Sequence, residues 1–256
     1  MKRIAIMAVF LLCLVQCLAS CAKDYQADYP DNFTTEYCVQ NYVFADPNLM
    51  FLERAKNDAT ESYNWNGKVF RFFAIRDVSP EDYLVVTAST FFVEHGAVRV
   101  VKDQDIGIEN YEIFTKEIAC AEIYRRKSVD IDDLLCAGEK CYESQIGQLT
   151  DAQIDDLIDY IKDCLDSQQF SEMEYYPTTH FQPGAYGNPV ILRIQFEEYD
   201  YLVWDALTVR RDGTRYIVFY IYDDTYPEPS GMWTEHRWVP VLIPLPEEIA
   251  ALIPEE

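Results

Sequence analysis

The sequence predicts an α+β fold in which antiparallel β-sheet regions flank a central helical segment. Two stretches, 67–102 and 190–243, are rich in Val, Ile, Phe, Tyr and Thr and are interrupted by Gly, Pro or Asp, which is typical of strands and turns. Between them, apolar residues recur at the three- and four-residue spacing of amphipathic helices. Because 49% of the residues are apolar, the chain has enough material for a folded core.

The N-terminal α/β region, residues 34–110, is predicted to place one helix ahead of three strands. Asp46 as the N-cap and Pro47 at the first helical position indicate a helix at about 46–58. The strands are expected between turn residues, at 67–78, 82–96 and 97–102.

The middle region, residues 111–170, is predicted to be helical. Its best-marked helix covers about 150–166, where Thr150 and Gln153 form a capping box. The apolar residues of this helix share one face: Ile154, Leu157, Ile158, Ile161, Cys164 and Leu165. Cys164 is therefore expected to be a packed core thiol.

The C-terminal β region, residues 171–256, is predicted to hold four strands. An Asp-Gly hairpin turn is expected in the sequence RDGT, residues 211–214. This region either stands alone or packs as one domain with residues 34–170. The strands are expected at 190–198, 201–211, 215–224 and 236–243.

A short sequence match between the two β regions suggests an internal duplication. The motif DYLV occurs at 82–85 and again at 200–203. A predicted helix precedes the strands in both regions. One hypothesis is therefore that a helix plus a three- or four-stranded sheet is used twice.

The first 21 residues have the features of a secretory signal peptide. The basic residues 2–3 precede an apolar run at 4–15, which is shorter than the roughly 20 residues that span a bilayer. The tripeptide LAS at 18–20 leads to Cys21, and this order resembles the lipobox of bacterial lipoproteins. The alternative is an ordinary cleaved signal peptide with an incidental cysteine.

The lipobox resemblance implies that Cys21 carries a diacylglyceryl group and that residues 1–20 are removed. Two acyl chains give stable membrane anchoring, whereas one chain binds only marginally. Residues 21–33 are short, polar or acidic and would form a tether. The resemblance therefore implies an extracytoplasmic body that is lipid-anchored on the bacterial cell envelope.

The chain is strongly acidic, with a formal net charge of −23 from 21 basic and 44 acidic residues. Removal of residues 1–20 takes away two basic residues and no acid, which makes the charge −25. Such a body does not suit nucleic acid, because phosphates are bound by Lys and Arg. Candidate partners are cations, cationic peptides, neutral glycans or other proteins, and the alternative is that the charge serves solubility.

Five cysteines remain after Cys21, and an odd number outside the cell leaves at least one thiol unpaired. Cys136 and Cys141 bracket a short Ala-Gly loop and are the predicted local disulfide. In a reducing environment all five would instead be thiols. Their spacing matches neither a redox motif nor a zinc site.

Two surface features are candidate binding sites. Asp151, Asp155, Asp159 and Asp163 follow one another at four-residue spacing in the best-marked helix. Like charges at that spacing destabilise a helix, so the stripe either meets a cation or basic partner or is a solvated face. A long aromatic loop at 173–189 either recognises sugars or peptides or covers the second sheet. Its rings are Tyr175, Tyr176, Phe181 and Tyr186.

Sequence motifs favour a binding or interaction module over an enzyme. The sequence has no G-x-S-x-G, H-E-x-x-H, P-loop or G-x-G-x-x-G motif, and no cofactor or metal is predicted. The alternative is an envelope-directed, glycosidase-like hydrolase that uses paired carboxylates, such as Glu94 and Glu197.

Overall fold

Two antiparallel β-sheets form the framework of the computed structural model, which describes residues 29–55, 62–65, 68–90, 93–107, 110–126, 142–173, 190–223 and 238–254. The predicted α+β fold with a central helical segment is therefore wrong, because the described residues form a β-rich fold. In these ranges one helix has 16 residues and every other helix has seven or fewer.

The first sheet has five strands, in the order β1–β6–β5–β4–β3. All its neighbouring strands are antiparallel. The strands are β1 (Tyr42–Phe44), β3 (Tyr63–Trp65), β4 (Lys68–Ala74), β5 (Tyr83–Thr90) and β6 (Val93–Asp103).

The second sheet has eight strands, in the order β8–β7–β10–β11–β12–β13–β9, with β2 (Leu49–Phe51) paired to β11. Strand β11 is long enough to hold β2 and β12 at different points along its length. The other strands are β7 (Ile118–Arg126), β8 (Tyr142–Gln148), β9 (Ser171–Glu172), β10 (Val190–Phe196), β11 (Tyr199–Arg211), β12 (Thr214–Tyr222) and β13 (Trp238–Pro244).

The α-helices of the described residues are α1 (Thr35–Asn41), α2 (Glu112–Thr115), α3 (Asp151–Asp166) and α4 (Glu247–Ala250). Helix α3 confirms the best-marked prediction. The Thr150 hydroxyl accepts the Gln153 backbone N–H, and the Gln153 side chain accepts the Thr150 N–H, as a capping box requires.

The predicted helical segment is interrupted, because strands β7 and β8 lie between helices α2 and α3 in the described part of residues 111–170; residues 127–141 lie outside the described residues. In β7, Ala121 and Ile123 face the core, whereas Glu122 and Tyr124 point to the other side of the sheet. This period of two is that of a strand. Seven residue pairs join β7 to β10, so pairing with a distant strand overrides the local helical preference of the segment.

The helix predicted at 46–58 is also wrong, because residues 46–51 form a turn followed by strand β2. The Asp46 carboxylate accepts the Asn48 backbone N–H, as an N-cap does, but β2 then pairs with β11. Without this helix, the proposed repeat of a helix-plus-sheet unit has no first copy, and the two sheets differ in size.

The described parts of both sheets share one hydrophobic core. It contains Val85 and Val100 of the first sheet, several strands of the second sheet and the apolar face of α3. A smaller cluster packs α1 against the other face of the first sheet, through Cys38, Val39, Phe70, Phe72, Leu84 and Val86. Both faces of the first sheet are therefore packed.

The predicted Asp-Gly turn joins β11 to β12. Asp212 and Gly213 have φ values of 52° and 82°, so both residues adopt the left-handed conformation of a type I′ hairpin turn. Glycine adopts this conformation without the steric cost of a Cβ atom.

We expect the Gly213→Ala substitution to destabilise the protein by about 1 to 2 kcal/mol. A Cβ atom at Gly213 would meet nothing within 4 Å, so the cost comes from the backbone conformation alone. Urea unfolding of the full-length protein measures the effect, with Asp212→Asn as the control, because Asn tolerates positive φ. A loss no larger than that of the control would contradict this account of the turn.

Candidate functional site

Helix α3 presents the predicted aspartate stripe to solvent. Asp151, Asp155, Asp159 and Asp163 are all exposed. The opposite face is buried in the shared core, through Ile154, Leu157, Ile158, Ile161 and Cys164. Because the apolar residues fix how the helix sits on the second sheet, the carboxylates can only point outward.

The α3 sequence contains six aspartates and one lysine. Lys162 lies with its Nζ 3.9 Å from Asp159 Oδ1 and 5.4 Å from the centre of the Phe114 ring. Both contacts are at least partly exposed, so the lysine screens its neighbours only weakly. The acidic face of α3, which comprises Asp151, Asp155, Asp159, Asp163 and Asp166, is therefore poorly neutralised by the helix itself.

An open depression of about 510 Å³ lies at the C-terminal end of α3. It is lined by Tyr160, Asp163, Cys164, Asp166, Ser167 and Gln169. The last turn of the helix contains no basic residue. Since the C-terminus of a helix carries partial negative charge, the two aspartates and the helix dipole together make this depression electronegative.

Backbone hydrogen bonds end α3 and change the direction of the chain beside the depression. Ser167 donates its backbone N–H to the Asp163 carbonyl, and Gln169 donates its backbone N–H to the Cys164 carbonyl. Gln168 has a φ of 55°, the left-handed conformation that often ends helices. The chain therefore turns away from the helix axis at this point.

The Cys164 thiol does not form a reactive site in this depression. It is buried in the shared core, as its place in the apolar stripe predicted, and it lies beside the Tyr160 side chain. Burial, together with this contact, raises the pKa of the Tyr160 hydroxyl to about 12. The Tyr160 hydroxyl is therefore uncharged at neutral pH and forms a neutral part of the wall of the depression.

Two ion pairs are buried within the described part of the chain, and no sequence pattern predicted either of them. Arg193 of β10 and Asp205 of β11 form two hydrogen bonds of 2.9 and 3.0 Å, opposite each other in register. Lys102 of β6 pairs with Glu112 of α2 at 2.9 Å. In both cases the partners are brought together by strand pairing or packing, so local sequence patterns carry no signal for them.

The sequence predicts Asp46 as a helix N-cap, but its buried carboxyl lies between the two sheets instead. It accepts hydrogen bonds from the Asn48 backbone N–H at 2.9 Å and from Trp204 Nε1–H at 2.8 Å. Burial raises its pKa to about 7. Trp204 is 158 residues away in sequence, which explains why the sequence did not reveal this contact.

The two residues of the hydrolase alternative belong to different parts of the fold. Glu94 belongs to β6 in the first sheet, and Glu197 is exposed in the turn between β10 and β11 of the second sheet. The described part of the chain contains no group of three or more His, Cys, Asp or Glu that could hold a metal ion.

Several predicted site residues lie outside the described residues. They are the lipidation candidate Cys21, the cysteine pair Cys136 and Cys141, and the aromatic loop residues Tyr175, Tyr176, Phe181 and Tyr186. Among the cysteines that are described, Cys38, Cys120 and Cys164 are free thiols. None of the helices in the described ranges is both long and apolar enough to cross a membrane.

Comparison with protein-family models, curated proteins and solved structures finds no match to this chain. The candidate site therefore depends on the geometry of α3 and of the depression at its C-terminal end.

We expect the triple substitution Asp155→Asn, Asp159→Asn and Asp163→Asn to stabilise the protein by about 1 kcal/mol at low ionic strength. The substitutions remove three repulsive pairs at four-residue spacing, each worth roughly 0.2 to 0.5 kcal/mol. Urea unfolding measures the gain, which should shrink in about 1 M salt because the charges are exposed.

Asp151→Asn is the matched control for the triple variant. Asp151 lies in the first turn of α3, where a negative charge is favourable, so this substitution should give no gain. A triple variant that is less stable than the wild type would show that the aspartates support the fold.

Proposed function

We propose that this protein is an extracytoplasmic lipoprotein that is held on a bacterial cell envelope by Cys21 and binds a cationic partner through α3. The partner class is a peptide or protein segment that carries Lys or Arg side chains. The single observation that carries the binding proposal is the depression at the C-terminal end of α3, where two aspartates lie at the negative end of the helix without a basic neighbour in the last turn.

The chemistry of the depression favours a cationic group over an apolar ligand. Asp163, Asp166, Ser167 and Gln169 offer oxygen acceptors for an ammonium or guanidinium group. The depression is open to solvent, as docking of a side chain from a second molecule requires.

The charge of the whole chain supports the same partner class. A formal charge of −23 attracts cationic molecules over a distance set by the ionic strength. This long-range attraction raises the rate of encounter, whereas the depression and the remaining aspartates of α3 provide the contacts after docking.

We expect a fluorescent octalysine peptide to bind the full-length protein, and its Kd to rise roughly fivefold in the double variant Asp163→Asn, Asp166→Asn. Two partly exposed charge pairs contribute roughly 0.2 to 1 kcal/mol each, and 1.4 kcal/mol corresponds to a factor of about ten. Fluorescence anisotropy at a fixed, low salt concentration measures the Kd.

The matched control for peptide binding is the double variant Asp200→Asn, Asp212→Asn. These aspartates are exposed on the second sheet, and the control changes the net charge by the same amount. Its Kd should stay within about twofold of the wild type. Equal weakening in both variants would mean that the peptide follows net charge and that the depression is not the site.

We expect Cys21→Ala to abolish labelling of the protein by radioactive fatty acid in a bacterial host that processes lipoproteins. The thiol is the attachment point of the diacylglyceryl group, and without it the two acyl chains that give stable anchoring are lost. Labelling and detergent phase partition measure the result. Cys17→Ala is the control and should remain labelled; a labelled Cys21→Ala variant would overturn the proposed anchor.

A further inference from the structure

Residues 45–48 carry the chain from β1 in the first sheet to β2 in the second sheet. Asp46 lies within this crossover and is 1% exposed. One carboxyl oxygen accepts the Asn48 N–H, and the other accepts the indole N–H of the fully buried Trp204 in β11. The Asp46 carboxyl therefore ties the crossover to the second sheet.

Asn48 extends this connection to two strands. Its carbonyl accepts the Asp205 backbone N–H of β11 at 2.8 Å, and its side-chain amide donates to the Val218 carbonyl of β12 at 3.1 Å. Strands β2 and β12 pair with separate parts of β11, at 202–204 and 208–211. The hydrogen bonds of the crossover therefore lie close to the point along β11 at which its partner changes from β2 to β12.

Two buried charged groups influence Asp46 from neighbouring elements. Lys102 of β6 is 0% exposed and Glu112 of α2 is 2% exposed, and their ion pair measures 2.9 Å. Burial is the largest cause that raises the Asp46 pKa, and Glu112 raises it further, whereas the hydrogen bonds from Asn48 and Trp204 and the charge of Lys102 lower it. The Tyr83 hydroxyl donates to the Glu112 oxygen that also accepts from Lys102, at 3.3 Å.

The other Glu112 oxygen, Oε2, is buried and has no hydrogen-bond partner among the described residues. With all groups ionised, the cluster would contain two carboxylates and one ammonium group, and hence one uncompensated negative charge. A carboxylate is costly to remove from water when no cation is bonded to it, so the burial of Asp46 favours its protonated form. Burial, as the largest cause, raises the Asp46 pKa to about 7.

We propose that Asp46 is a proton-operated latch between the two sheets: when its carboxyl is protonated the crossover stays attached to β11, and when the carboxyl ionises the crossover detaches more readily. The geometry supports this role because one side chain joins β1, β2 and β11 in a sealed place that has unequal numbers of acids and bases.

The direction of the pH effect follows from proton binding. In a locally opened state Asp46 is hydrated and has its ordinary pKa of about 3.9, whereas the closed state has a pKa of about 7. The closed state therefore binds more protons between these values. Its stabilisation is fully present below about pH 4, declines as the pH rises, and is lost above about pH 7.

Hydrogen exchange of the full-length protein, followed by NMR, tests the latch. The probe is the indole N–H of Trp204, assigned by its absence in Trp204→Phe, and the reference is the set of β10 amides, which lie between two paired strands. Relative to that reference, the protection factor of the Trp204 indole should fall roughly a hundredfold or more between pH 4 and pH 7. A constant ratio would overturn the proposal.

Two variants separate Asp46 from other titrating groups. In Asp46→Asn the ratio should no longer depend on pH over this range. Glu112→Gln removes the carboxylate that raises the Asp46 pKa, and it leaves Lys102 without its charged partner. Both changes lower the Asp46 pKa, so the decrease in the Trp204 protection factor should be complete at a lower pH than in the wild type. If Asp46→Asn does not fold, the test rests on Glu112→Gln alone. A protection factor of the Trp204 indole with the same pH dependence as in the wild type would then refute the latch.

Discussion

The hydrogen bond from the Trp204 indole to the Asp46 carboxyl is the interaction on which the arrangement of the two sheets depends. A carboxyl group that is buried away from water needs hydrogen-bond donors from the protein. For Asp46 these donors are the Asn48 backbone N–H in its own turn and the Trp204 indole N–H in the centre of the second sheet. Because those donors lie in different parts of the chain, their hydrogen bonds to Asp46 define the position of the turn at 46–48 relative to the second sheet. The same contact explains why an Asp-Pro sequence that is typical of a helix start leads into a strand.

The β-rich framework leaves α3 as the single long helix of the described chain, with one face in the core and one face in solvent. Its apolar residues determine its orientation, and its aspartates are exposed as a consequence. The ion pairs Arg193–Asp205 and Lys102–Glu112 are buried and connect neighbouring elements. These pairs lie inside the fold, whereas the acidic face of α3 is exposed and its like charges oppose the stability of the helix. This division of roles is the reason for proposing recognition on the surface of α3.

The proposed location and the proposed latch are consistent with each other. A lipoprotein body outside the cytoplasm experiences the pH of its surroundings, which the cell does not buffer. A carboxyl group whose pKa is raised to about 7 changes its charge within the range that such surroundings cover. Anchoring, partner binding and the latch nevertheless depend on different residues, Cys21, the acidic face of α3 and Asp46, so each is open to separate tests.

Features that have a local cause could be predicted from the amino-acid sequence. The capping box and apolar stripe define α3, the Asp-Gly pair defines the hairpin turn, and the four-residue spacing of the aspartates defines an acidic helix face. Three other features depend on tertiary contacts: the middle of the chain contributes strands β7 and β8, Asp46 begins no helix, and the buried charges are paired. The physical reason is that strand pairing and burial join residues that are up to 158 positions apart, and the free energy of those contacts exceeds local conformational preference.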